Sequence, residues 1–114
     1  MIDRIGLPNR RENETVVLTH GQREFIVTFG IFEQRVVEVF CSPSEKSRAG
    51  TDSQADLTDA CIAISLLLQR GMKVAQLAAA FGEDRPEGME KGSPSSILGR
   101  IACAGAELEG SLEA

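Results

Sequence analysis

The 114-residue sequence contains no tryptophan and no tyrosine, so its five phenylalanines are its only aromatic side chains. Proteins that bind single-stranded nucleic acids stack the bases on aromatic side chains, and few such platforms exist here. An excess of basic residues is also missing, since the formal net charge is −5. Neutralising a phosphate backbone requires clustered lysine and arginine. The composition therefore disfavours nucleic acid as a partner.

Closely spaced cysteines and long apolar segments are absent as well. Cys41, Cys61 and Cys103 are odd in number and far apart in the sequence, which argues against a disulfide scaffold. No run of about 18 apolar residues predicts a transmembrane helix. The first residues also lack the apolar segment of a secretory signal. These absences predict a reduced, cytoplasmic protein of bacterial type with no membrane partner.

A chain of this length is expected to form a single domain over residues 1–114. We divide it into an N-terminal arm at 1–12, a β-meander at 13–41 and a helical part at 53–112. The arm carries Arg10 and Arg11, which are candidate anchors for an anionic partner. A solvated basic pair beside acidic neighbours is the other interpretation. The length does not accommodate a large catalytic barrel with its own substrate and cofactor sites, and we expect no bound cofactor.

Three segments, at residues 15–20, 24–29 and 35–41, are rich in β-branched and aromatic residues that alternate in the manner of strands. The connections between them are short, which predicts a three-stranded antiparallel meander. Phe32 falls near the tip of the second turn and is a candidate binding residue. Both faces of the sheet are apolar, because Ile26, Val36 and Phe40 lie opposite the face expected to meet the helices. Such surface suits a subunit interface and predicts a homodimer, although a helix or the N-terminal arm is an alternative cover for part of it.

The segment at residues 53–71 predicts the central helix, with Gly71 as its stop. One face of this helix, which includes Leu57, Cys61, Ile64 and Leu68, is expected to pack on the sheet. Ile62 and Leu66 project nearly opposite that face, so the helix is expected to be buried on more than one side. We expect the two later helices to cover these residues.

Apolar spacing predicts the two later helices. The first covers residues 74–81, and a charged, Gly- and Pro-containing loop follows at 82–93. The second begins with Ser93 as N-cap and Pro94 at its first position. Gly105 lies on its apolar stripe and allows a close approach by a neighbouring element. The predicted fold is α+β, with the order β-β-β-α-α-α and the central helix packed on the sheet.

The residue types that could carry chemistry are few. Cys41, Cys61, Cys103 and His20 are a conceivable zinc set, but the closely spaced cysteine pair typical of structural zinc sites is absent. Cys41 and Cys61 fit better as small core residues. Cys103 is the thiol expected to be most exposed, and His20, at a hairpin tip, is the only candidate base for it. A small thiol or metal protein that uses Cys103 and His20 is therefore kept as an alternative.

Four segments follow one another in a familiar order: Leu-Pro-Asn-Arg-Arg at 7–11, Val-Val-Glu-Val-Phe at 36–40, Ala-Ile-Ser-Leu-Leu-Leu-Gln-Arg-Gly at 63–71, and Ser-Ile-Leu at 96–98. Together they resemble the TSCPD domain. That domain occurs at the C-terminal end of adenosylcobalamin-dependent (class II) ribonucleotide reductases and also as short stand-alone proteins. The resemblance implies a non-catalytic accessory domain associated with a reductase.

Several features of those reductases have no counterpart in this sequence. The thiyl-radical barrel, a cobalamin-binding region and the terminal cysteine pair are missing, and Gly-Ser-Pro-Ser-Ser at 92–96 replaces the Thr-Ser-Cys-Pro-Asp run. We therefore expect a non-catalytic assembly or protein-binding module that forms a homodimer or docks on a larger reductase-like protein. The alternative is a nucleotide-responsive regulator of deoxynucleotide synthesis, motivated by the reductase association and by Arg10 and Arg11.

Overall fold

The computed structural model describes residues 12–43, 52–85, 87 and 92–113. In chain order its elements are β1 (Glu12–His20), β2 (Arg23–Phe32), β3 (Arg35–Pro43), α1 (Asp52–Gln69), α2 (Val74–Ala80), β4 (Glu83–Asp84), β5 (Ser93–Pro94) and α3 (Ile97–Glu113). Strands β1, β2 and β3 form an antiparallel sheet in that order, and β4 pairs with β5 in a separate two-stranded sheet. The predicted α+β fold of a three-stranded meander followed by three helices is confirmed.

The turn between β2 and β3 is tighter than predicted. It consists of Glu33 and Gln34, whose φ angles of 51° and 64° are both positive. Two consecutive positive φ values are typical of a type I′ hairpin turn, which matches the twist of the flanking strands. Phe32 is therefore not at the tip. It is the last residue of β2, half-buried and paired with Arg35.

A β-bulge changes which residues of β3 are buried. The pairing register shifts between Gly30 and Ile31, so that Gly30 pairs with Glu38 while Ile31 pairs with Val36. Val37 is the extra residue, and a bulge of this kind bends the strand locally. Val36 and Val37 are consequently both buried, with 0% and 1% of their surface exposed. The prediction that Val36 faces water is wrong for this reason.

Helix α1 begins one residue before the predicted start and ends where Gly71 was expected to stop it. Gly71 has a φ of 109°, which favours glycine. Its N–H donates to the carbonyl of Leu68 at 3.1 Å, and the N–H of Met72 donates to that of Leu67 at 3.2 Å. These bonds satisfy carbonyls that the end of the helix leaves without partners. The predicted sheet-facing residues of α1 are all buried: Leu57, Cys61, Ile64 and Leu68.

Helix α1 also satisfies the backbone at the edge of the sheet. The hydroxyl of Ser65 accepts a hydrogen bond from the N–H of Val39 at 2.9 Å, and the carbonyl of Val39 lies 3.2 Å from the same oxygen. One turn later, the Gln69 amide donates to the carbonyl of Val37 at 3.1 Å. Ser65 and Gln69 are buried, with 7% and 0% exposed. These side chains provide partners for backbone groups that an edge strand otherwise leaves unpaired.

Helix α3 begins at Ile97 and not at the predicted Ser93. Ser93 and Pro94 instead form β5, so part of the predicted loop is a small hairpin. The helix is capped by Ser96, whose hydroxyl accepts a hydrogen bond from the N–H of Gly99 at 3.0 Å. The N-cap is therefore Ser96 and not Ser93, three residues later than predicted, because Ser93 and Pro94 are extended and paired with Glu83–Asp84.

Two features of α3 attach it to the rest of the fold. At Gly105, a Cβ would lie 3.0 Å from Val74 in α2 and 3.1 Å from the ring of Phe29, so the predicted close approach is confirmed. Near the C-terminal end, the buried carboxylate of Glu109 accepts a hydrogen bond from the N–H of Val36 at 3.3 Å. The Arg35 guanidinium is 3.9 Å from the same oxygen. Among the described residues, no helix is both long and apolar enough to cross a membrane.

Candidate docking surface

The outer face of the three-stranded sheet, on the side away from the helices, carries exposed apolar side chains. Val17 on β1 and Ile26 on β2 are directly paired, and they are 59% and 37% exposed. Phe40 on β3 lies on the same face and is 54% exposed. Thr28 lies beside Ile26 and is paired with Phe40, and its hydroxyl is hydrogen-bonded to that of Thr15 on β1 at 3.0 Å. The centre of this face is therefore apolar or neutral.

The second apolar side of α1 extends this surface. Ile62 and Leu66 are 51% and 38% exposed, so the prediction that the later helices cover them is wrong. The reason is the position of α1 along the edge of β3, where Ser65 and Gln69 contact the strand. Ile62 and Leu66 are neighbours of Ser65 and Gln69 on the helical wheel, so they face the outer side of the sheet. Helices α2 and α3 pack with each other and with the inner face, and they therefore do not cover Ile62 and Leu66.

A small open cavity joins the sheet part of the surface to the helix part. Its volume is about 90 Å³, and its lining is Glu38, Phe40, Ile62, Ser65 and Leu66. Glu38, the acidic residue of this lining, is only 5% exposed. We call the combined patch the outer apolar surface. It consists of Val17, Ile26, Phe40, Ile62 and Leu66.

Phe32 is the one binding residue predicted from the sequence that lies within the described residues, and it is not part of the outer apolar surface. Arg10 and Arg11 fall outside the described residues, so their role stays a prediction. Phe32 is half-buried at the end of β2, and its proposed role in binding also stays a prediction. The outer apolar surface was recognised in part, because the alternation in the strands indicated Ile26 and Phe40. Its continuation onto α1 was missed, since helical spacing shows an apolar side without showing what lies opposite.

The proposed zinc ligands are not gathered into one site. Among the described residues, no group of three or more His, Cys, Asp or Glu side chains is placed to hold a metal ion. His20 is half-buried, and its Nε2 is hydrogen-bonded to the carbonyl oxygen of Ser95 at 3.1 Å. Cys103 is also half-buried, and it lines a separate cavity of about 80 Å³ together with Phe81 and Gly99. This arrangement gives the alternative thiol or metal function no geometric support.

Two cysteines that are distant in the sequence do meet in the fold. The thiols of Cys41 on β3 and Cys61 on α1 share a side-chain hydrogen bond, and both cysteines are free. That bond lowers the pKa of Cys61, against the opposing effect of burial. The same bond, together with burial and the charge of Cys61, raises the pKa of Cys41. Cys61 is the core residue that was predicted, with 2% exposed, whereas Cys41 is half-buried.

The sequence patterns already predict that Cys41 and Cys61 lie on surfaces that face each other. Strand alternation places Cys41 on the same face of β3 as Val37 and Val39, and helical spacing places Cys61 on the sheet-facing side of α1. The distance between them along the chain hides the pairing. Only the alignment of α1 with β3 brings the two sulfurs together.

The chain was compared with known proteins. The profile of the TSCPD domain matches residues 4–104. Searches of curated proteins and of solved structures each give no significant match. The family match covers most of the chain, including all three strands of the main sheet, α1, α2 and the start of α3. The chain therefore belongs to the TSCPD domain family.

Proposed function

We propose that this protein is a non-catalytic assembly module that forms a homodimer through its outer apolar surface. The observation that carries the proposal is the continuity of exposed apolar side chains across two elements, the sheet and α1. Isolated exposed apolar residues are normal on a protein surface, but a contiguous patch marks an interaction site.

The size of the patch supports a second copy as the occupant. From their exposed fractions, the five side chains leave on the order of 450 Å² of apolar surface in contact with water. A standard interface buries about 800 Å² per partner, of which somewhat more than half, roughly 450 Å², is apolar. The outer apolar surface thus supplies about the apolar area that one side of a stable dimer needs.

The distribution of charge also supports a second copy. Each chain carries a formal charge of −5, so two copies repel one another. This repulsion is smallest when the copies meet through a surface that carries few acidic side chains. At the centre of the outer apolar surface the side chains are uncharged, with Thr28 beside Ile26 and Phe40, and the acidic Glu24 lies at its margin on β2. The larger reductase-like protein implied by the family is the competing occupant of the same surface.

Sedimentation equilibrium of the purified full chain tests the proposal. The surface is changed on each of its two elements by Val17→Lys and Ile62→Lys. The matched control is Leu67→Lys, because Leu67 is 43% exposed on the same helix but does not line the cavity. A lysine placed in an apolar interface must lose its hydration without gaining a partner, so both surface variants should weaken dimerisation at least about tenfold. The control should stay within about threefold of the wild type.

Two results would contradict the homodimer. One is a wild type that sediments as a monomer at about 50 μM, well above the concentration of most cellular proteins. The other is equal weakening by the control and the surface variants. A monomeric wild type that co-sediments with a class II ribonucleotide reductase, and loses this binding with Ile62→Lys but not with Leu67→Lys, would assign the surface to the competing occupant.

A further inference from the structure

Helix α1 and strand β3 contact each other at regular intervals. One turn of four helical residues advances about 6 Å, and two strand residues advance nearly the same distance, so a helix antiparallel to a strand meets every second strand residue. Hydrogen bonds join Gln69 to Val37 and Ser65 to Val39. The same spacing places Cys61 next to Cys41, which packs against the core cluster that contains Cys61.

The first two contacts hold the third in place. Gln69 and Ser65 are buried and bonded to the β3 backbone, so α1 cannot slide along the strand without breaking these bonds. The hydroxyl of Ser65 also lies 2.9 Å from the carbonyl oxygen of Cys61, one turn earlier. The two sulfurs therefore meet because of packing around them that is independent of the sulfurs themselves.

We propose that Cys41 and Cys61 form a reversible disulfide that links β3 to α1, with a small-molecule disulfide such as oxidised glutathione as the oxidant. The half-buried Cys41 sulfur attacks the oxidant, forms a mixed disulfide and releases one thiol. The Cys61 sulfur then attacks the Cys41 sulfur and releases the second thiol. Two electrons pass from the cysteine pair to the oxidant, and the two cysteine protons end on the two released thiols.

The surroundings of the pair suit this chemistry. Cys41 is half-buried, so an oxidant can reach it from solvent, whereas Cys61 is buried and is accessible mainly through Cys41. The hydrogen bond between the sulfurs favours Cys61 as the thiolate, so Cys41 becomes the attacking thiolate when its proton passes to Cys61 along that bond. The proposal does not depend on dimerisation.

Mass spectrometry of the wild-type chain tests the disulfide directly. The protein is equilibrated in glutathione buffers of increasing oxidised fraction, quenched with acid, alkylated and digested with trypsin without reduction. Cleavage after lysine and arginine places Cys41, Cys61 and Cys103 in three different peptides, 36–46, 49–70 and 101–114. The expected product is peptide 36–46 linked to peptide 49–70, with an intact mass lowered by about 2 Da that returns on adding reduced glutathione.

The control is the same chain unfolded in urea, where the two thiols meet only by chance. In the native protein the equilibrium constant for forming the Cys41–Cys61 disulfide should be at least about tenfold higher than in urea. An equal or lower native constant would overturn the proposal, as would a predominant link to peptide 101–114. The variants Cys41→Ser and Cys61→Ser each remove one partner, so the loss of about 2 Da in intact mass should be absent from both. A loss of this size in either variant would show that another cysteine pair forms the disulfide and would also overturn the proposal.

Discussion

The contact between Ser65 and the edge of β3 makes a sharp prediction about stability. The hydroxyl of Ser65 is buried and accepts the N–H of Val39 at 2.9 Å, with the carbonyls of Val39 and Cys61 at 3.2 Å and 2.9 Å. The change Ser65→Ala removes one oxygen and leaves the shape of the helix unchanged. It also leaves the N–H of Val39 buried under α1 without its partner.

The magnitude follows from what the alanine variant leaves behind. A buried donor without a partner costs about 1–3 kcal/mol, whereas the net gain from an ordinary hydrogen bond is about 1 kcal/mol. Alanine has a higher helix propensity than serine, which returns about 0.5 kcal/mol. We therefore expect Ser65→Ala to lower the free energy of unfolding by about 1.5 kcal/mol, a factor of roughly 13 in the folding equilibrium constant.

Urea unfolding followed by circular dichroism measures this free energy by linear extrapolation. All variants are compared at one protein concentration, because dimerisation would make stability depend on it. The matched control is Ser111→Ala in α3, whose hydroxyl donates to the Leu108 carbonyl at 2.7 Å but is exposed, so its loss should cost less than about 0.5 kcal/mol. A cost below about 0.5 kcal/mol for Ser65→Ala would refute the reasoning, because water would then be reaching the edge of β3.

Two further predictions concern α3 and the N-terminal arm. Gly105→Ala places a Cβ 3.0 Å from Val74, so overpacking should destabilise the chain by about 1–3 kcal/mol in urea unfolding. Gly110→Ala meets no atom within 4 Å and should stabilise the same helix by up to about 1 kcal/mol; similar effects at the two positions would contradict the observed packing. The nucleotide-regulator hypothesis predicts that millimolar deoxynucleotides raise the melting temperature of the wild type, but not of an Arg10→Ala, Arg11→Ala variant. No shift in the wild type would refute that hypothesis.

The elements of this fold and the order of its strands follow from local patterns, but the register between the strands does not. Alternation predicted the three strands, helical spacing predicted the three helices, and Gly71 predicted the end of α1. Val36 shows where such reasoning ends. Its burial depends on a bulge that pairs Ile31 with Val36 and leaves Val37 as the extra residue. A register shift of this kind arises between two strands, so the pattern of either strand alone does not contain it.

The helix part of the outer apolar surface and the thiol pair could not be predicted from the sequence, for the same physical reason. Ile62 and Leu66 form a second apolar side of α1 whether that side meets α2, α3 or water. Likewise, Cys41 and Cys61 face each other only if α1 lies along β3 in one particular alignment. In each case the alignment of α1 with β3 depends on the hydrogen bonds that Ser65 and Gln69 make with the β3 backbone. The sequence pattern does not predict these bonds for either residue.

The same alignment determines how a partner can bind. An exposed edge strand invites a second chain to extend the sheet through backbone hydrogen bonds. At β3 the side chains of Ser65 and Gln69 already occupy the polar groups of Val37 and Val39, so this mode would require α1 to detach. The helix that closes the edge also carries Ile62 and Leu66 to the outer side of the sheet. A partner that approaches β3 is therefore directed to the face of the sheet, where contact is made by side chains and where a single lysine should be enough to prevent it.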